Sequence, residues 1–225
     1  MYHYVKDKEF LGNMKRVCSD IMNQLKQQIN NDSVMQVDIH LVGSGAKNLI
    51  TQNANEPIDL DYNLCIEKTF EINIHNGRAI KEYIIEQFNC VLNKNGWSNC
   101  KDSTSVISTK QRPFKKGNNT PFSKGNNTPF SIDVAIVYED YNGWHRLIHN
   151  KTGFVAFDQY YWNDSPQSKG LNDKVIAIKN EHLWEDVIDL YLNKKNMYLQ
   201  RNDHNHPSFI VYIETINEVY HNYFQ

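Results

Sequence analysis

Asp59 and Asp61 stand one residue apart in a run where Ile58, Leu60, Tyr62 and Leu64, apolar or aromatic, alternate with Asp59, Asp61 and Asn63. This period of two is the signature of a strand with one buried and one polar face, so both carboxylates point the same way. Carboxylates side by side repel each other unless a cation lies between them, and hard oxygen donors of this kind suit Mg2+, which also binds substrate phosphates. Upstream, an apolar segment ends at Gly43-Ser44. A two-metal site needs a further carboxylate, and Asp133, which interrupts the β-branched run 131–138, is the best-placed one. Each piece has a plainer reading: solvated polarity at a strand end for Asp-x-Asp, an ordinary loop for Gly-Ser-Gly, an edge-strand charge for Asp133. In one chain and in this order they predict metal-dependent phosphoryl or nucleotidyl transfer. A carboxylate inside so apolar a run needs a partner.

The surrounding pattern supplies elements to hold these residues. Apolar residues at helical spacing over 10–30 predict an amphipathic helix that backs a sheet. A strand over 37–42 ends at the Gly-Ser turn, a short helix follows, and the Asp-x-Asp strand comes next. Ile80, Ile84, Ile85, Phe88, Val91 and Leu92 predict a helix over 78–93, stopped by Asn95-Gly96, with a strand over 103–109 after it. Residues 139–143 read as a hairpin connection in which Asn142-Gly143 supplies positive φ, which leaves Glu139 only a minor role as a general base. Beyond 151 the expectation is an irregular aromatic stretch around 154–166, then paired helices. Leu183, Val187, Ile188, Tyr191 and Leu192 form one stripe, and Phe209, Ile210, Ile213, Ile216, Val219 and Tyr220 another. Between them His204 and His206 read as polar loop residues more readily than as a ligand pair.

The succession of strand 37–42, Gly43-Ser44, Asp59-Leu60-Asp61 and a later strand bearing Asp133 resembles the polymerase β-like nucleotidyltransferase superfamily over residues 34–140. The resemblance implies an α+β fold, with a mixed β-sheet flanked by helices as a catalytic core over 1–150 and a mainly helical C-terminal part over 151–225 that closes the cleft. It implies that Asp59 and Asp61 hold the metal that binds a triphosphate, and that with Asp133 they hold a second metal. The ions would be Mg2+, with Mn2+ as a substitute. An NMP would pass from an NTP such as ATP to an acceptor hydroxyl, releasing pyrophosphate. Gly43 and Ser44 would approach the phosphates, and Lys47, one turn into the short helix, reads equally as a phosphate contact or a solvated lysine. The C-terminal part often supplies a lysine, for which Lys194 and Lys195 are candidates. The acceptor stays open among a small molecule, tRNA, a protein and a second nucleotide, and a homodimer sharing the acceptor site occurs in similar enzymes. The alternatives are a catalytically inactive nucleotide-binding or protein-interaction module of the same fold, which the intact aspartates weigh against, and an RNA-binding protein.

Composition sets the outer bounds. With 225 residues, 40% hydrophobic and 22% charged, the chain can bury a substantial core, and a net charge of −2 gives no general attraction to nucleic acid or membranes. A basic stretch over 110–124 is the nearest thing to an RNA-binding patch. Within and beyond it an eight-residue unit over 116–123 is repeated without change over 124–131, which reads as an extended turn-rich loop, with an acceptor-binding flap as the functional alternative. Cys18, Cys65, Cys90 and Cys100 lack Cys-x-x-Cys spacing and read as reduced packing thiols. No apolar run is long enough to span a bilayer and the first residues lack a secretory h-region, so the expected location is cytoplasmic.

Overall fold

A computed structural model describes residues 1–114, 128–165, 170–203 and 206–225. Strand β1 (Tyr2–Tyr4) precedes helix α1 (Lys8–Asn31), whose cap, the Asp7 carboxylate, accepts from the Phe10 N–H. From Phe10 to Ile29 the helix buries Met14, Cys18, Ile21, Met22 and Leu25 on one stripe, as the sequence period requires. Strand β2 (Met35–Leu41), a single helical turn α2 (Gly43–Lys47), strand β3 (Thr51–Asn53) and the long strand β4 (Ile58–Thr69) follow. Helix α3 (Gly77–Lys94), capped by Asn76, buries Ile80, Ile84, Phe88, Val91 and Leu92. Next come β5 (Lys101–Asp102), β6 (Ile107–Ser108), β7 (Phe130–Asp140), β8 (Gly143–Asn150) and β9 (Gln159–Asp164), and then helices α4 (Leu171–Asn180), α5 (Trp184–Gln200) and α6 (Ser208–Phe224).

The sheet is mixed. Parallel strands β4 and β7 form its centre, and β2 pairs antiparallel with β4. The far side of β7 is shared, because its first half pairs with β6 at Asp133 and Val134 and its last residues pair with β8. Strands β5 and β9 extend β6 and β8. Helices α1 and α3 cover one face, where Leu60, Leu64, Ile132, Val134 and Ile136 complete the main core. The other face carries only a small cluster of Cys65, Ala135 and Val137 with Val106 packed on it. A second apolar cluster joins the three C-terminal helices through Ile178, Val187, Tyr191, Val211 and Ile216, and takes in Leu49 from behind α2 and Tyr4 from β1.

Several expectations need correction. The strand over 103–109 is a tight hairpin instead, since Ser103 N–H bonds back to the Val106 carbonyl and only two residues on each side pair. Within the aromatic stretch 154–166 lie a single 3₁₀ turn (Val155–Phe157) and β9, so the sheet continues beyond residue 150. Among the described residues the C-terminal part has three helices, not one pair; the unforeseen α4 buries only Ile178. The turn after β7 consists of Tyr141 and Asn142, and of the two residues expected at positive φ only Gly143 (φ +120°) has it, opening β8. Nor was β1 foreseen, for three residues are too few to show a period. The repeat over 116–131 lies largely outside the described residues; Phe130 and Ser131 belong to β7. Among the described residues no helix is long and apolar enough to cross a membrane.

Candidate functional site

Strands β4 and β7 run in a register that sets Asp61 opposite Asp133 and Asp59 opposite Ser131. Leu60, Ile132 and Val134 go into the helix-covered core, so the three carboxylates stand on the other face, on strands about 4.8 Å apart. Asp59 is exposed and accepts a hydrogen bond from the Ser131 hydroxyl. Asp61 is half-buried. Burial, then the charges of Asp133 and Asp59, push its pKa up to about 6 against the opposing pull of Arg146 and Lys47. The Asp133 pKa is raised as well, chiefly by burial and also by Asp59, although the Ser108 hydroxyl donates to its carboxylate. Burial is thus the larger cause of both shifts, and repulsion among the carboxylates adds to it.

The Gly-Ser turn closes on this row. Val42 N–H donates to the Asp61 carbonyl at 2.9 Å, and Gly43 adopts φ +61°, where a Cβ would lie 2.5 Å from Asp61 Oδ2. Only glycine lets the backbone come so near the carboxylate. Ser44 follows within α2. Lys47 leans over the Tyr212 ring of α6, 4.7 Å from its centroid; burial lowers its pKa while Asp61 opposes that shift.

Two further cations face the row. Arg146 of β8 pairs with Val137, whose side chain shares the acidic face, and its charge acts on Asp61. Lys195 of α5 donates to Thr51 Oγ1 at 2.9 Å and also acts on Asp61, and burial pulls its pKa down to about 8. Its neighbour Lys194 turns away to Glu218, 2.9 Å distant. Sequence reasoning named both lysines without choosing between them and missed Arg146, whose one signal was its alternation with His145 and Leu147.

Other candidates fall outside the row. Glu139 is exposed, six residues along β7 from Asp133 and thus about 20 Å away. His206 stacks on Tyr198 with ring centroids 3.9 Å apart and faces Asp203 and Glu214, while His204 lies outside the described residues. All four cysteines are free. Of the basic stretch, Arg112 stacks over Trp97 and Lys110 is exposed; residues 115–124 lie outside the described ones.

Among the described residues no group of three or more His, Cys, Asp or Glu side chains stands close enough together to hold a metal ion. Asp59, Asp61 and Asp133 offer instead an open row of hard oxygens under mutual repulsion. That donor set fits a Mg2+ ion that keeps positions for waters and phosphates.

No protein-family model and no curated protein matches this chain. Solved structures do. The chain aligns over 96% of its length with the E. coli MS115-1 protein CdnC bound to ATP, at a TM-score of 0.57 and 13% identity. It also aligns over 96% with the Vibrio cholerae cyclic AMP-GMP synthase DncV carrying a linear intermediate, 5' pppA(3',5')pG, at 0.57 and 10%. It covers 62% of the CdnC chain and 68% of the DncV chain. At such identities the likeness is one of fold. The chain shares with these two proteins an α+β fold, a mixed sheet flanked by helices with further helices at the C-terminus.

Proposed function

We propose that the chain is a metal-dependent nucleotidyltransferase that moves an NMP from an NTP to a hydroxyl group and releases pyrophosphate. The observation that carries this reading is the in-register pairing of Asp61 with Asp133 on the face away from the helices, with both pKa values raised. Asp59 and Asp61 would hold the ion that accompanies the triphosphate, and Asp133 with them a second. Bound Mg2+ supplies charge to the phosphates and acidifies the acceptor hydroxyl. Gly43 and Ser44 bring backbone N–H groups and a hydroxyl to the phosphates, while Lys47 and Lys195 add positive charge. The acceptor oxygen bonds to the α-phosphorus as the bond to the bridging oxygen of the leaving pyrophosphate breaks. Asp133, opposite Asp61 in the row, takes the acceptor proton on a carboxylate oxygen.

For the acceptor we infer a second nucleotide, with ATP as the first donor to test. The likeness to CdnC bound to ATP and to a synthase holding a two-nucleotide intermediate supports this choice over tRNA, protein or another small molecule. A second reading, nucleotide binding without turnover, is favoured by the hydrogen bond that already engages Asp59. Purified protein incubated with α-labelled NTPs, singly and in pairs, with Mg2+ or Mn2+, separates the two. Transfer predicts a labelled product that resists phosphatase and disappears in Asp59→Ala/Asp61→Ala. Mg2+-dependent binding with no product, including on added RNA and protein, would support the second reading.

A further inference from the structure

Strand β1 lies against Lys195, the α5 lysine whose charge acts on Asp61. It pairs with β3 so that Tyr2 faces Asn53 and Tyr4 faces Thr51. Asn196, the residue after Lys195 on α5, grips the Tyr2 backbone from both sides: Tyr2 N–H donates to Asn196 Oδ1 at 2.6 Å, and Asn196 Nδ2 donates to the Tyr2 carbonyl at 3.1 Å. Tyr4 Oη donates to the Ile188 carbonyl one helical stretch earlier. The strand is thus hydrogen-bonded to the core through β3 and to the C-terminal helices through α5.

This arrangement puts the Tyr2 ring beneath Lys195. The ammonium stands 3.9 Å from the Tyr2 ring centroid and 5.7 Å from that of Tyr191, with the Thr51 hydroxyl as its hydrogen-bond partner. No carboxylate lies within ion-pair distance of Lys195 among the described ion pairs, in contrast to Lys194 with Glu214 and Glu218. An ammonium with two aromatic faces and one hydroxyl is held in place without a carboxylate in direct contact, Asp61 acting on it only from a distance, so it can still meet an anion. The four-carbon stem of a lysine would otherwise leave the charge mobile.

We infer that Tyr2 is a positioning residue that presents the Lys195 ammonium to the NTP phosphates, so that the N-terminal strand forms part of the nucleotide site. This rests on the proposed function, because it takes the phosphates as the anion that Lys195 meets. Tyr2 acts through Lys195 and touches no reacting atom. The part in use is its ring, while its backbone serves the clasp with Asn196.

The test compares wild type, Tyr2→Leu and Tyr2→Phe by equilibrium dialysis with each of the four α-labelled NTPs and Mg2+, with KM and kcat measured wherever product forms. Tyr2→Leu keeps the backbone clasp and removes the cation–π face; its Kd and KM should rise about fivefold, with kcat changed much less. Tyr2→Phe keeps the ring and should restore the wild-type values. The inference is overturned if Tyr2→Leu binds like wild type, if Tyr2→Phe is as weak as Tyr2→Leu, or if kcat and melting temperature fall together with affinity, the mark of a purely structural role. If Tyr2→Leu does not fold, Asn196→Ala with the ring intact takes its place, and a rise in Kd at unchanged circular dichroism is then expected. Wild type that binds nucleotide without forming product overturns the transfer reading alone, and the Kd comparison still decides the role of Tyr2. Wild type that binds no NTP overturns both.

Discussion

The two faces of the sheet each carry a cluster of carboxylates, and they are built on opposite principles. On the face covered by α3, Asp102 meets Lys81 at 2.6 Å and one ring nitrogen of His149, whose other nitrogen lies 3.0 Å from Asp158. Thr152 N–H closes on Asp158, Lys151 donates to the Asp102 carbonyl, and the Tyr160 ring stacks on His149 at 4.1 Å. Every carboxylate there has a partner, and the Asp158 pKa is lowered by hydrogen bonds from Thr152 and His149. On the open face Asp133 meets the Ser108 hydroxyl, Asp61 has Arg146 and Lys47 acting on it without a direct pair, and burial with mutual repulsion raises both pKa values. Matched charge serves structure, whereas on the proposed function the acidic row beside a close-approaching glycine turn would meet an ion and a phosphate that come from outside.

The largest effect that could break this contrast is at Asp61. Its folded pKa, about 6, lies above the unfolded value near 3.9, so between these pH values the folded state binds more protons and stability falls as pH rises. Asp61→Asn should abolish transfer, by about a thousandfold or more. At pH 7 it should also stabilise the fold, on the order of 2 kcal/mol, a gain that fades toward pH 4 in urea titrations. Lys81→Met should do the reverse. Removing one partner of a buried pair should cost about 3 kcal/mol in the same titrations, while transfer by the folded protein stays close to wild type. For Asp158 the sign is also opposite, since a lowered pKa gives stability that is present at neutral pH and lost as pH falls below about 4.

Smaller effects sharpen the picture of the open face. Gly43→Ala forces a side chain into a left-handed conformation and against Asp61 Oδ2, so kcat/KM should fall by roughly tenfold to a hundredfold, with a smaller drop in melting temperature. Lys195→Ala should raise KM for the NTP about tenfold, the size of one charge-assisted contact, whereas Lys194→Ala, which breaks a half-buried pair with Glu218 away from the row, should leave it unchanged.

Much of the open face was legible in the sequence because a strand's alternation fixes which way its side chains point. Asp59 and Asp61 could be assigned to one face before any coordinates and Gly43-Ser44 placed just ahead of them, while Asp133 could be named as the third carboxylate but joined to that face only by the register of β4 and β7. The lysines could not be chosen that way. Consecutive helix residues point about 100° apart, so whether Lys194 or Lys195 faces the cleft depends on how α5 packs on α6 and β1. Arg146 reaches the row from a strand whose pairing partner only the fold reveals. The compensated cluster was illegible for the same reason: Lys81, Asp102, His149 and Asp158 come from a helix, a two-residue strand, β8 and a loop. Strands as short as β1, β5 and β6 carry no period to detect, and the alternation within β9 was hidden by its aromatic neighbours.

The central claim is that Asp59, Asp61 and Asp133 form a site for a divalent ion. It is tested most directly by melting temperature from pH 4 to pH 8 with and without Mg2+ or Mn2+, in wild type and Asp61→Asn. The account predicts that either ion raises the wild-type melting temperature at pH 8, that the rise shrinks as Asp61 protonates toward pH 4, and that Asp61→Asn loses most of it. An equal rise in both proteins, or no rise in wild type at any pH even with NTP present, would contradict it.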